Sequence, residues 1–259
     1  MSFRDWVATL PPAEGSVRLA GDDEVVEIVL DHPATRNALT PAMMVELADA
    51  VEAAAGARVV ILRGEAGSFC SGGNLAAVRA HLVRPGGGVD LVQFMQEVTE
   101  RLAGLDAVVI GVAEGASLGG GAELLTACDH VVAAPDARIG FVQARLGVSP
   151  GFGGGTRLVR RVGSRIALQL LTTGVVDAHE ALHLGLLDAL SVTPLAWARE
   201  RAQVLLQLPP EALAGAKRVV RAATALPRDE ALVAEQAIFG ELWGGPAHLA
   251  ALDAATRPR

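Results

Sequence analysis

Residues 115–129 read GASLGGGAELLTACD, three consecutive glycines followed by Glu123 and an apolar run with helical spacing (Leu124, Leu125, Ala127, Cys128). Glycine permits backbone torsions and close approaches that a Cβ blocks, so the stretch predicts a ligand held against main-chain N–H groups. A second strand, glycine turn and helix occur upstream in VVILRGEAGSFCSGGNLAAV. Each helix start presents unsatisfied donors and a partial positive charge. Two such amides converging on one point form an oxyanion hole, which stabilises negative charge appearing on an oxygen. The first stretch also matches the nucleophile elbow G-x-S-x-G, with Ser117 as nucleophile, Asp229 or Asp177 as the acid and His248 or His183 as the base. That serine hydrolase alternative lacks an upstream His-Gly oxyanion segment and leaves Gly72, Gly73 and Glu123 without a purpose. Tight turns with no chemistry are the third reading.

The elements that must hold these turns fit an α/β chain. Strands are predicted over 16–20, 24–31, 58–64, 107–115 and 128–134, with LLDALSV as a short later one. Thr40 caps a helix that has Pro41 at its first position, and Asn74 caps a helix after the first glycine turn. DLVQFMQEVTERL is amphipathic, and from about residue 153 the pattern is mainly helical, GTRLVRRVG being separated from SRIALQLLTTG. Strands alternating with helices and then a helical tail imply a core of parallel strands over 1–195 and a C-terminal helical region over 196–259.

Composition narrows the partners. With 51% hydrophobic residues the chain has material for a large core, and the near absence of aromatics (3%, no Tyr) leaves that core to aliphatic side chains. A net charge of −7 speaks against a nucleic-acid surface. No stretch is apolar enough for a signal peptide or a membrane span. Cys70 and Cys128 lack metal-ligand spacing and read as buried thiols of a reducing compartment, which makes the cytoplasm the expected location. Neither a phosphate-binding P-loop, nor HExxH, nor paired Cys-x-x-Cys is present, so no metal or cofactor site is expected.

Four segments, HPATRNAL, SFCSGGNLAAV, GASLGGGAELLTACD and GVSPGFGGGTRLVRRVG, occur in an order and spacing that resemble the crotonase (enoyl-CoA hydratase/isomerase) superfamily, from about residue 16 to 255. The resemblance implies a crotonase-like spiral of ββα units, with the C-terminal helices serving trimer or hexamer assembly. It implies an acyl-CoA substrate, coenzyme A entering only as part of it. The thioester oxygen then falls to the N–H groups of Gly73 and Gly120, with Ser71, Gly72, Asn74, Leu75 and Gly119 lining the same place. Arg36 and the backbone at Ala38 match the segment that wraps the CoA adenine and phosphates, and Lys217 matches late-helix residues that meet CoA phosphates.

Hydratases of that superfamily use two glutamates. Glu123 matches the first, whereas Gln143 stands at the second. Water addition needs groups that move protons at two carbons, which an amide does not do. An amide suits a 2-carboxyacyl-CoA, whose carboxylate a second acid would repel. Loss of CO2 leaves an enolate for the Gly73 and Gly120 amides, and Glu123, if protonated, returns a proton to the α carbon. FCSGGNLAAVRAHL, VQFMQEVTERL, RIGFVQARLGVSP and LWGGPAHL resemble the ethylmalonyl-CoA/methylmalonyl-CoA decarboxylase branch, which has a His where this chain has Gln143. Hydratase or isomerase chemistry and non-catalytic acyl-CoA binding are the alternatives within the superfamily. His81 lies just beyond the first glycine turn, facing the acyl group in this reading. Arg157, Arg160, Arg161 and Arg165 read as ion-paired or subunit-contact residues.

Overall fold

The computed structural model describes residues 1–256, so the last three positions of the expected helical region 196–259 lie outside the described residues. A short helix α1 (Phe3–Val7) precedes the hairpin of β1 (Ser16–Gly21) and β2 (Val25–Asp31). Then come α2 (Pro41–Ala53), β3 (Val59–Gly64), α3 (Leu75–Ala77), which continues as a π turn over Val78–Leu82, and α4 (Gly87–Gly104). The middle of the chain forms β4 (Val108–Ala113), β5 (Ala116–Leu118), α5 (Gly120–Leu125), β6 (His130–Ala133) and β7 (Arg138–Gly140). It ends in α6 (Gly154–Thr173), β8 (Val175–Asp177), α7 (Ala178–His183), β9 (Ala189–Leu190), and the helices α8 (Pro194–Leu205), α9 (Pro210–Ala225), α10 (Arg228–Leu242) and α11 (Pro246–Thr256).

The strands form a six-stranded sheet, β1-β2-β3-β4-β6-β9, and a three-stranded sheet, β5-β7-β8. The core is parallel from β2 to β9, as expected, but β1 and β2 form an antiparallel hairpin, and β8 returns antiparallel to β7 after α6. The short linker between Gly21 and Val25 allows only an antiparallel return, because a parallel one needs a crossover.

Both faces of the large sheet are covered. Val60, Leu62 and Val109 pack with Leu47, Met95 and Leu102 from α2 and α4, while Val59, Ile61, Val108 and Ile110 pack with Ala198, Ala202 and Leu205 of α8 and Leu213 of α9. Strands buried on two faces read as continuous apolar runs, which is why VVIL and VVIGV lack alternation. Thr40 caps α2 through Met43 N–H with Pro41 at the first position, and Asn74 caps α3 through Ala77 N–H, both as expected. The break between the two helical segments after residue 153 is a kink in α6 at Gly163, which has φ 78°.

Candidate active site

Parallel pairing of β3 with β4 makes both strands end at the same edge of the sheet, and the two glycine turns leave from there side by side. Phe69 and Cys70 donate to the carbonyls of Glu114 and Ala116 (2.7 and 2.9 Å), and Leu118 N–H returns to Cys70 O at 2.9 Å. The segment after β2 joins them: Ser71 N–H donates to Arg36 O, Leu39 N–H to Gly72 O and Asn74 N–H to Leu39 O. Asn37, fully buried, fastens the segment after β2 to the one after β3, accepting from His32 N–H and donating to the carbonyls of Glu65 and Ser68. Sequence reasoning missed Asn37; its signal was an amide within TRN, at φ 58°.

This juxtaposition brings the expected oxyanion glycines together. A Cβ placed on Gly72, whose φ is 102°, would lie 2.9 Å from Leu118 O and 3.3 Å from Gly120 N, so the two turns are in contact. Neither Gly73 N–H nor Gly120 N–H donates to any acceptor among the described residues. The three consecutive glycines have separate reasons. Gly119 adopts φ 55° and ψ −119°, a conformation that side chains resist. A Cβ on Gly120 would meet the Phe152 ring at 2.5 Å, and one on Gly121 would meet Cys70 O at 2.1 Å.

Glu123 lies in the first turn of α5, 1% exposed. Its Oε1 accepts from Gln143 Nε2 (2.7 Å) and Gly151 N–H (3.2 Å), and its Oε2 from Phe152 N–H (2.8 Å) and Gly154 N–H (3.0 Å). Burial pushes its pKa up, and the four donors oppose that shift. Four N–H groups aimed at two oxygens fit the ionised form, so the carboxyl meets the chain as an acceptor with no lone pair unused for a proton. The turn 151–154, within the GVSPGFGGG segment, was not assigned this task from sequence. Gln143, buried at 8% exposure, has its amide nitrogen turned to Glu123, while Oε1 accepts from no group among the described residues.

Behind the turn stands a closed hydrogen-bond ring. Phe152 O accepts from Thr99 Oγ1 (2.7 Å) and Arg157 Nη2 (2.6 Å). Arg157 also reaches Glu100 (2.6 Å) and Thr126 Oγ1 (3.2 Å), and the Thr126 hydroxyl donates to the backbone carbonyl of Glu123 at 2.6 Å. Arg161 pairs with Asp188, so two of the four clustered arginines have the expected acidic partners.

Other expected residues scatter. Ser71 donates from Oγ to Thr35 O and Asn74 uses its side-chain oxygen as the α3 cap, while Leu75 is exposed beside them and His81 sits in the π turn. Arg36 is exposed with a left-handed backbone (φ 55°), and the buried Ala38 offers its carbonyl to the His32 ring. Lys217 is buried at the start of β4, donating to Ala107 O (2.6 Å) and paired with Asp129 (2.7 Å). It sits at the end of β4 opposite the glycine turns, and the structure does not bring it to the site. The hydrolase alternative is corrected: Ser117 Oγ is buried in β5 with no hydrogen-bond partner among the described residues, Asp177 caps α7, and the His248 ring accepts from Gly244 N–H. Both thiols are fully buried and pushed up to about 12 by loss of solvation.

The family model described as enoyl-CoA hydratase/isomerase matches residues 21–244. The chain is similar to ethylmalonyl-CoA decarboxylases of Gallus gallus, 40% identical over 93% of this chain and 84% of the relative, and of Danio rerio, 40% identical over 95% and 84%. Among solved structures it resembles an enoyl-CoA hydratase from Thermoplasma volcanium (TM-score 0.86, 28% identity, 93% of this chain and 97% of that one). A second resemblance is to a protein from Streptomyces coelicolor described as an enoyl-CoA hydratase (TM-score 0.87, 29% identity, 97% and 96%).

Proposed function

The chain belongs to the enoyl-CoA hydratase/isomerase family, and from that premise we propose that it removes CO2 from a 2-carboxyacyl-CoA of the ethylmalonyl- or methylmalonyl-CoA type. The observation that carries this reading is the pairing of one buried carboxylate, Glu123, with an uncharged amide, Gln143, in a chain 40% identical to ethylmalonyl-CoA decarboxylases.

In this reading the thioester oxygen accepts from Gly73 and Gly120 N–H. As the bond from C2 to the carboxylate breaks, its electron pair moves into the thioester and the oxygen becomes an enolate. Donors aimed at that oxygen act mainly in the transition state, where one such donor is worth about 3 kcal/mol. Gln143 adds no negative charge near the departing carboxylate, and Glu123, held by four donors, has its own charge compensated. Ser71, Gly72, Asn74, Leu75 and Gly119 frame the acyl end, and Arg36 with the Ala38 backbone lies where the CoA moiety leaves. No further cofactor enters this chemistry.

Hydratase or isomerase action is the second reading, favoured by the likeness to solved enoyl-CoA hydratases; non-catalytic acyl-CoA binding is the third. No helix among the described residues is long and apolar enough to cross a membrane, and we place the protein in the cytoplasm as a homotrimer or homohexamer joined by its C-terminal helices. A panel of methylmalonyl-, ethylmalonyl-, crotonyl- and butyryl-CoA, followed by mass spectrometry, tests the assignment. Loss of CO2 from the first two supports it. Hydration of crotonyl-CoA without CO2 release overturns it in favour of a hydratase, and binding without turnover in favour of a carrier.

A further inference from the structure

The Gln143 side chain is fixed at one end and open at the other. Its nitrogen donates to Glu123 Oε1 at 2.7 Å, which sets the amide orientation, because a carboxylate cannot donate to the amide oxygen. Oε1 is therefore directed away from Glu123, buried, and without a donor among the described residues. Gln143 follows β7, whose Gly140 O accepts from Gly119 N–H at 2.7 Å, so it stands beside the Gly120 turn. A buried carbonyl left unpaired is costly, and this one asks for an O–H or N–H donor. The ionised 2-carboxyacyl group carries neither.

We propose that Gln143 Oε1 holds a water molecule against C2 of the bound acyl group, and that this water, rather than Glu123, protonates the enolate. The proposal rests on the decarboxylase reading above. The C2–carboxylate bond breaks and CO2 leaves with its electron pair remaining on the enolate. C2 then takes a proton from the held water, and the hydroxide so formed takes one from bulk solvent, so each turnover consumes one proton. Glu123 holds the amide in place and keeps its own four donors. A water held from one side delivers to one face of C2.

The test is decarboxylation of methylmalonyl-CoA in D2O, with the configuration of the monodeuterated propionyl product read by deuterium NMR after coupling to a chiral alcohol. The wild type is expected to give a single configuration. Gln143→Leu, with Gln143→Met as a second variant in case the first fails to fold, is expected to give both configurations. CO2 release should slow by less than the ~100-fold typical of losing a proton-transfer group from a rate-limiting step. A single configuration from either folded variant overturns the proposal alone. A wild type that releases no CO2 from any 2-carboxyacyl-CoA overturns the decarboxylase reading beneath it.

Discussion

Gln143 donates to Glu123 across 2.7 Å, joining the end of β7 to the first turn of α5 through one buried amide–carboxylate bond. Replacing the amide by an acid places two carboxyls at that distance, and their repulsion raises the pKa at which the second one ionises. Gln143→Glu should therefore share one proton at low pH and carry an extra negative charge at high pH. One added charge about 5 Å from the substrate carboxylate costs about 3 kcal/mol at an effective dielectric constant near 20. The expected outcome is a kcat/KM for CO2 release that falls progressively below wild type as pH rises, approaching a deficit of about 100-fold. Parallel pH profiles for the two proteins would contradict it.

The wild-type profile has its own sign. Burial pushes the Glu123 pKa up against the pull of its four donors, so protonation begins above the ordinary glutamate range of about 4.3. If Glu123 serves as the ionised anchor of Gln143 and of the turn 151–154, acid removes activity: kcat/KM rises with pH and then levels off. If it were the proton donor, activity would decline as pH rose through the same group. Initial rates between pH 4.5 and 8 separate the two, since the limbs run in opposite directions.

Gly121 and Gly73 look alike in sequence and differ in space. A Cβ on Gly121 would lie 2.1 Å from the backbone oxygen of Cys70, whereas one on Gly73 meets nothing nearer than Val78 Cγ2 at 3.6 Å. Gly121→Ala must push the two glycine turns apart and is expected to cost about 3 kcal/mol or more, at the upper end of overpacking penalties. Gly73→Ala should melt with the wild type. Thermal unfolding of both variants checks the contrast, and equal melting temperatures would refute the close contact at Gly121.

The same contrast shows what sequence could and could not carry. Apolar runs, the caps Thr40 and Asn74, the kink at Gly163 and both glycine turns were legible because each depends on neighbours within a few residues. The three-residue strands β5, β7 and β8 were not, since strands that short carry no period and exist by pairing with each other. Glu123 and Gln143 were named from their motifs, but the direction of the amide was not: it is set by a carboxylate twenty residues away, itself held by a third segment. Lys217 illustrates the opposite error. The family resemblance implied a CoA phosphate for this late-helix lysine, while tertiary packing pairs it with Asp129.

Glu27, 4% exposed on β2, ties the sheet to α8 through Arg63 (2.9 Å) and Arg199 (2.6 Å). Burial by itself would raise its pKa, but the hydrogen bonds and charges of the two arginines outweigh that and hold it below the usual carboxylate range. A carboxyl lowered in the folded state stabilises fully above its unfolded pKa, near 4.3, and loses that contribution as pH falls through the folded value. Glu27→Gln should therefore be less stable than wild type at pH 7, by about 1–3 kcal/mol as for a charged hydrogen bond. The gap should close as pH drops below about 4. Denaturant titrations at pH 7 and pH 3.5 test this, and a gap that widens in acid would reverse the assignment.

Arg157 is the residue through which distant packing reaches the site. It touches neither glycine turn, yet its guanidinium donates to Phe152 O and Thr126 Oγ1, and so links the peptide that holds the Glu123 carboxylate to the helix that carries Glu123. Its salt bridge to Glu100 is less important, since Glu100 is 66% exposed and exposed pairs contribute about 0–1 kcal/mol. Arg157→Lys keeps a charge but cannot reproduce the planar fork, so the turn 151–154 loses one of two bonds to Phe152 O and Glu123 gains freedom. A loosened site costs turnover more than binding: kcat is expected to fall about 10–100-fold with KM nearly unchanged, whereas Glu100→Gln leaves both near wild type. If the two variants lowered activity equally, the ion pair rather than the fork would be holding the turn. If Arg157→Lys raised KM at constant kcat, Arg157 would be acting on substrate binding and not on the placement of Glu123.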